Sequence, residues 1–176
     1  MLIDRGANVN TEGYSDSTAL LEAVNCGHLK MVQLLIAKGA NVRTAGLWDE
    51  TALHIASGTF DRLKLLSRIG RSGGDDEAYL TIARILIKNG ADINAKTTSV
   101  AVEDIWGQVL TTELRSQTPI HYAAIFNNTN LIALLMTNGA DINAKALEGN
   151  TPLDMAVAFT NTAAAQVLKA MGAHAK

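Results

Sequence analysis

The residues whose types could support chemistry are few: four histidines, one cysteine, and a short glycine-rich run. A histidine acts as general base only beside a group whose proton it takes, and binds a metal only with further ligands at suitable spacing. No HExxH, CxxC or paired His/carboxylate spacing occurs. His54 and His121 each stand three residues after a threonine, Thr51 and Thr118, in matching strings, which points to a structural hydrogen bond. His28 follows Gly27 between two helical stretches, and His174 lies in the tail. The run GRSGG at 70–74 lacks the GK[ST] ending of a phosphate-binding loop and reads as a flexible turn. Asn127, Asn128 and Thr129 spell a glycosylation acceptor, which a chain inside the cell never presents to the transferase. On this reading there is no enzyme here, and no cofactor or metal.

Composition narrows the classes further. Of 176 residues, 48% are hydrophobic, enough to bury a core, and the net charge is −2, so no global field draws the chain to nucleic acid or anionic lipid. Arg62, Lys64, Arg68 and Arg71 lack interleaved aromatics and read as a solvated helix face. Neither a signal peptide nor a run of the roughly 18–20 apolar residues that span a bilayer is visible. Cys26 has no partner for an internal disulfide, which fits a reducing compartment. The expectation is an intracellular, cytoplasmic protein, with export of the effector kind left open.

The elements that place these residues repeat. GANVN at 6–10 returns as GANVR at 39–43, as GADIN at 90–94 and 139–143, and in worn form as GAHAK at 172–176. Between them stand TALLEAV at 18–24, TALHIAS at 51–57, TPIHYAA at 118–124 and TPLDMAV at 151–157. Gly6 to Gly39, Thr18 to Thr51, Thr118 to Thr151 and Gly139 to Gly172 are each 33 residues apart, the mark of a stacked repeat. Each threonine suits a helix N-cap, and Pro119 and Pro152 suit the first helical position, where a missing N–H costs nothing. Leucine and alanine then recur at helical spacing. A second helix follows, clearest in HLKMVQLLIAKG, and Gly39, Gly90, Gly139 and Gly172 end these helices in a left-handed cap.

The layout T-[AP]-[LI]-H-x-A, followed by a helix ending LL-x-x-GA-[DN]-[VI]-N, resembles the ankyrin repeat. The resemblance implies an all-α solenoid of stacked antiparallel helix pairs with β-hairpin fingers. It also implies protein–protein interaction through a concave groove lined by fingers and first helices. Leu21 and Asp154 depart from the usual His, Ala19 and Ala52 from Pro, and Arg43 from the closing Asn, which weakens individual turns. The chain divides as one domain: a partial leading repeat over 1–10, then repeats over 11–43, 44–94, 95–143 and 144–176. Asn10, Asn94 and Asn143 each follow a leucine by eight residues, which resembles the substrate pattern of the asparaginyl hydroxylase that modifies such repeats.

Two intervals exceed the period. About 18 residues near 58–76 lengthen one inter-helix connection; Phe60, Leu63, Leu66 and Ile69 predict an extra helix there, and Asp75 and Asp76 suit the N-terminus of the next. About 16 residues near 97–113 lengthen a finger, whose centre at Asp104–Gly107 predicts a turn between two short strands. Trp, Tyr and Arg dominate binding hot spots. Tyr14 and Trp48 precede capping threonines at the finger position, Trp106 sits at the tip of the long finger, and Arg115 stands near its end. Phe126 and Phe159 each fall eight residues after a capping threonine, so stacking brings them side by side. These six form the expected contact set for a partner protein, with neither nucleic acid nor membrane as partner. The chain is expected as a monomer, or as self-associating through its uncovered N-terminal half-repeat, where Met1–Arg5 supply only the last turn of a helix. The alternative is an interaction fragment of a larger enzyme or of a host-directed bacterial effector.

Overall fold

The computed structural model describes residues 5–13, 16–46, 49–58, 76–98, 102–103, 109–111 and 116–176. The chain forms two compact units, Met1–Leu47 with Thr51–Asp92, and Trp48–Glu50 with Ile93–Lys176.

In the first unit the described helices are α1 (Ala19–Asn25), α2 (Leu29–Ala37), α3 (Ala52–Ser57) and α4 (Asp76–Lys88). α1 packs on α2 and α3, α4 on α3 and α2, so two short helices form one layer and two longer ones the other. The apolar stripes meet between the layers: Leu20, Val24, Val32, Leu35, Leu53, Ile82 and Leu86 are all buried. The expected helix over 60–69, the glycine turn and Asp75 lie outside the described residues; α4 begins at Asp76.

The end of α2 shows how the glycines work. Ala40 N–H reaches Leu35 C=O and Gly39 N–H reaches Ile36 C=O, a Schellman cap that needs a left-handed residue, and Gly39 has φ 87°. Beyond the cap, Asn10 ties its turn to the next. Its amide donates to Gly39 C=O at 3.1 Å and accepts from Asn41 N–H at 2.8 Å. Arg43, expected to weaken its turn, does the donor half of the same work: its Nε donates to Gly90 C=O at 2.8 Å. The longer side chain spans to the same carbonyl slot and keeps the donor half of the tie, but a guanidinium has no acceptor for the other half. The connections Glu12–Thr18 and Ala45–Thr51 each close with one isolated antiparallel bridge.

The second unit carries α5 (Pro119–Ile125), α6 (Thr129–Thr137), α7 (Pro152–Ala158) and α8 (Thr162–Ala170). α5 packs on α6 and α7, and α8 on α7 and α6, the same two-layer scheme. Ile120, Leu131, Ile132, Leu135, Leu153 and Leu168 fill its centre. Asn94 ties its turn to that of Asp141 through Gly139 C=O and Asp141 N–H, and Asn143 accepts from His174 N–H. Before α5, β1 (Val102–Glu103) and β2 (Val109–Thr111) pair antiparallel, and residues 104–108 between them lie outside the described residues.

Candidate partner-binding surface

The histidines that looked reactive by type are structural. In the second unit Thr118 N–H donates to His121 Nδ1 at 3.1 Å, and the Thr118 hydroxyl lies 2.9 Å from the same nitrogen. With Nδ1 accepting, Nε2 carries the proton and faces Asn150 C=O at 3.2 Å. His54 meets Thr51 the same way, at 3.2 Å from its N–H and 2.9 Å from its hydroxyl. Both rings are fully buried. Burial, which penalises the charged ring, lowers the His121 pKa to about 4, against a smaller raising effect from the Asn150 carbonyl. A neutral, twice-bonded imidazole that caps a helix is no general base poised for work near neutrality. Among the described residues no group of His, Cys, Asp and Glu could hold a metal ion. Cys26 is exposed.

Exposure divides the short helices. Counting from each capping threonine, the fourth and seventh residues are exposed on α1 (Glu22, Asn25), whereas they are buried on α5 (Tyr122, Ile125) and on α3 and its C-cap (Ile55, Gly58). On α7 Met155 is half-buried, Ala158 exposed and Val157 57% exposed. Of the six expected contact residues, the structure describes two. Phe126 and Phe159 are the C-cap residues of α5 and α7, two helices that pack together, and each is 38% exposed. They share a slot because each helix starts on its threonine and runs seven residues before the cap. Tyr14, Trp48, Trp106 and Arg115 lie outside the described residues.

Glu50 stands out as a residue the motif search passed over. It precedes capping Thr51, the slot held elsewhere by Ser17, Gln117 and Asn150, so it alone of the four is ionisable. Its carboxyl hydrogen-bonds the Tyr122 hydroxyl, while Oε1 is closed to water and accepts no hydrogen bond. Burial pushes its pKa up to about 7, against the lowering effect of the Tyr122 bond. The ionisable member of an otherwise neutral slot was the available sequence signal.

A family model described as ankyrin repeats in three copies matches residues 1–97, more than half of the chain. The chain belongs to the ankyrin repeat family. A second ankyrin model, of many copies, matches residues 117–168. Two ankyrin repeat proteins of fowlpox virus (strain NVSL) are similar. One is 37% identical over 82 residues, 47% of this chain, and the other 35% over 97 residues, 54% of it. The matched stretches are 10% and 24% of those proteins' own lengths, so the chain spans a minor part of each. Ankyrin repeats are generally protein-interaction modules. No helix among the described residues is long and apolar enough to cross a membrane.

Proposed function

We propose that this chain is a protein-binding module that holds a partner protein through the groove and finger side of its repeats, without catalysis of its own. The observation that carries this reading is the pair Phe126 and Phe159. Two aromatic side chains cap successive packed helices and each leaves over a third of its surface in water, where a core residue would leave almost none. Exposed aromatics in register on neighbouring repeats give a partner an apolar anchor of the type that dominates binding energy. Tyr14, Trp48, Trp106 and Arg115, which lie outside the described residues, are further candidate contacts on the sequence pattern alone. The alternative, an interaction segment working within a larger enzyme or host-directed effector, keeps the same surface and differs in what is tethered to it.

Alanine replacements at Trp48, Trp106, Phe126 and Phe159 test the surface against a partner captured from lysate and then purified. Loss of about 2 kcal/mol or more of binding at one or more of these, with melting curves unchanged, is the expected result. Variants that stay folded and all bind as the parent does would place the contact surface elsewhere.

A further inference from the structure

Asn-Gly occurs twice in the chain, at 89–90 and 138–139, just past the last residues of α4 and α6. The dipeptide carries chemistry of its own. The glycine nitrogen can attack the amide carbon of the asparagine side chain, because no Cβ on the glycine stands in the way. The equivalent caps at Gly39 and Gly172 follow Lys38 and Met171, which have no amide to attack. In α6 the pair is engaged in the cap. Gly139 N–H donates to Met136 C=O at 3.2 Å, Ala140 N–H donates to Leu135 C=O at 3.0 Å, and Gly139 has φ 93°. The Asn138 side-chain amide donates to Leu134 C=O at 2.8 Å. At ψ 13° for Asn138, the Gly139 nitrogen nearly eclipses the Asn138 backbone nitrogen. Closing a five-membered ring needs it eclipsed with Cβ instead, roughly a third of a turn away on a tetrahedral carbon. That rotation carries Gly139 N–H off Met136 and unmakes the cap. A tie from the neighbouring turn holds the cap shut: Asn94 donates to Gly139 C=O at 3.1 Å and accepts from Asp141 N–H at 2.9 Å. The end of α4 repeats the arrangement. The Asn89 side chain donates to Ile85 C=O at 2.8 Å, Gly90 N–H donates to Ile87 C=O at 3.0 Å, and Gly90 has φ 88°. Both asparagines are exposed, so water reaches them.

We propose that Asn138–Gly139, and with it Asn89–Gly90, is a deamidation site gated by its helix cap, so that each opening of the cap exposes the repeat to a one-way change. In the open cap the Gly139 nitrogen bonds to Cγ of Asn138, and the side-chain nitrogen leaves as ammonia with the proton that Gly139 gives up. Water then opens the succinimide at either carbonyl and leaves aspartate or isoaspartate. Water is the one co-reactant. Both products place a carboxylate where the partial negative charge of the helix C-terminus already gathers. Isoaspartate also routes the backbone through Cβ, which lengthens it by one atom and moves Gly139 C=O away from Asn94. Local opening takes microseconds to seconds, far faster than this chemistry, so the rate follows the population of the open cap. The acid therefore accumulates in proportion to how often the end of the helix comes undone.

The test incubates the full chain in warm, mildly alkaline buffer and follows the amide-to-acid mass gain at Asn138 and Asn89 by peptide mapping. A parallel sample in denaturant gives the rate without a cap. Amide exchange at Gly139 measures cap opening independently, since it needs release of the same N–H. The folded chain should react at both asparagines, and at Asn138 more slowly than the unfolded chain by the Gly139 protection factor, to within a few-fold. Asn94→Ala removes the tie to Gly139 and should speed the reaction at Asn138 severalfold. Asn89, in the other unit, should keep its parental rate in that variant. If Asn94→Ala folds poorly, the match between rate ratio and protection in the parent decides alone. Folded and unfolded chains that react equally fast, a folded chain that leaves Asn138 intact while Gly139 exchanges, or a folded Asn94→Ala variant with the parental Asn138 rate would each overturn the gate.

Discussion

His121 gives the sharpest handle on what a repeat contributes to stability. Its neutral form fits: Nδ1 accepts from Thr118 N–H and Nε2 donates to Asn150 C=O. Protonating Nδ1 sets a new N–H against the Thr118 N–H and puts a charge in a fully buried site. The folded pKa is accordingly about 4 against an ordinary 6.5. A base with a lowered folded pKa stabilises the fold fully above its unfolded pKa, and that contribution drains away as pH falls from 6.5 through 4. The gap amounts to about 3 kcal/mol on full titration at roughly 1.4 kcal/mol per unit. His121→Gln keeps an acceptor at the N3 position of a Thr-led capping box and cannot titrate. At pH 7.5 the variant should be weaker by about 1 kcal/mol, the worth of the bond to Asn150. By pH 4.5 the order should reverse, the variant being the more stable by about 1–2 kcal/mol. Urea unfolding midpoints for parent and variant from pH 7.5 to 4.5 give the difference, in which the opposite slope from Glu50 cancels because both proteins carry it. Parallel curves would refute the argument, since they would mean that His121 takes up its proton in the folded state as easily as in the unfolded one.

Two further predictions concern the repeat frame. Nine residues after the capping threonine the backbone is left-handed at Gly27, Asn127 and Thr160, with φ 68°, 56° and 58°. A β-branched residue is badly suited there, so Thr160→Gly should raise stability by about 1 kcal/mol in chemical denaturation, net of glycine's entropy cost. Gly27→Ala should lower it, because the new Cβ would also lie 3.3 Å from the Tyr79 ring; a Thr160→Gly protein less stable than the parent would show that the threonine is not strained. Ile120→Ala and Leu53→Ala remove fully buried side chains and should each cost about 2–5 kcal/mol, read as a fall in urea midpoint. Loss of under 1 kcal/mol at either would mean that the site is not core.

Much of the fold was legible because the repeat states its mechanics several times. Thr51, Thr118 and Thr151 cap the helices they precede, and Pro119 and Pro152 stand in the first turn. The glycine ending each second helix has positive φ wherever it was placed by period. Departures from the pattern were harder to read. Asp16, Asp49 and Ser116 take left-handed backbone two residues before a capping threonine, the slot in which Gly149 stands. Local preference predicts glycine at such φ, but the pairing of the finger's two ends sets the backbone whichever residue is there. Arg43 keeps one half of its tie: a longer side chain supplies the donor that reaches the next turn, and the acceptor half is lost with the amide oxygen. Glu50 was illegible from any motif because its state depends on Tyr122, 72 positions later, and on what excludes water around both.

The third residue of each short helix joins these threads. In α5 His121 caps its own helix with Nδ1 and donates from Nε2 to Asn150 C=O, 29 residues on. In α7 Asp154 fills the slot. One oxygen accepts from both Thr151 N–H and its hydroxyl at 2.8 Å, and the carboxylate reaches Lys176 N–H at 3.1 Å, 22 residues on. These bonds from Thr151 and Lys176 offset its desolvation and hold its pKa below the ordinary carboxylate value. The outgoing tie has therefore changed polarity, from a ring N–H seeking a carbonyl to a carboxylate seeking an N–H. In α1 Leu21 has no polar atom for either task, and Thr18 alone caps, accepting Leu21 N–H at a long 3.4 Å. The joint thus differs among three of the short helices: absent in α1, a donor in α5 and an acceptor in α7, while His54 of α3 repeats the capping half seen in α5. A stack assembled from such joints has its order written into it, because Asp154 placed at position 121 would set a carboxylate against the Asn150 carbonyl. The period makes the helices alike, and the third residue keeps α5 and α7 from changing places.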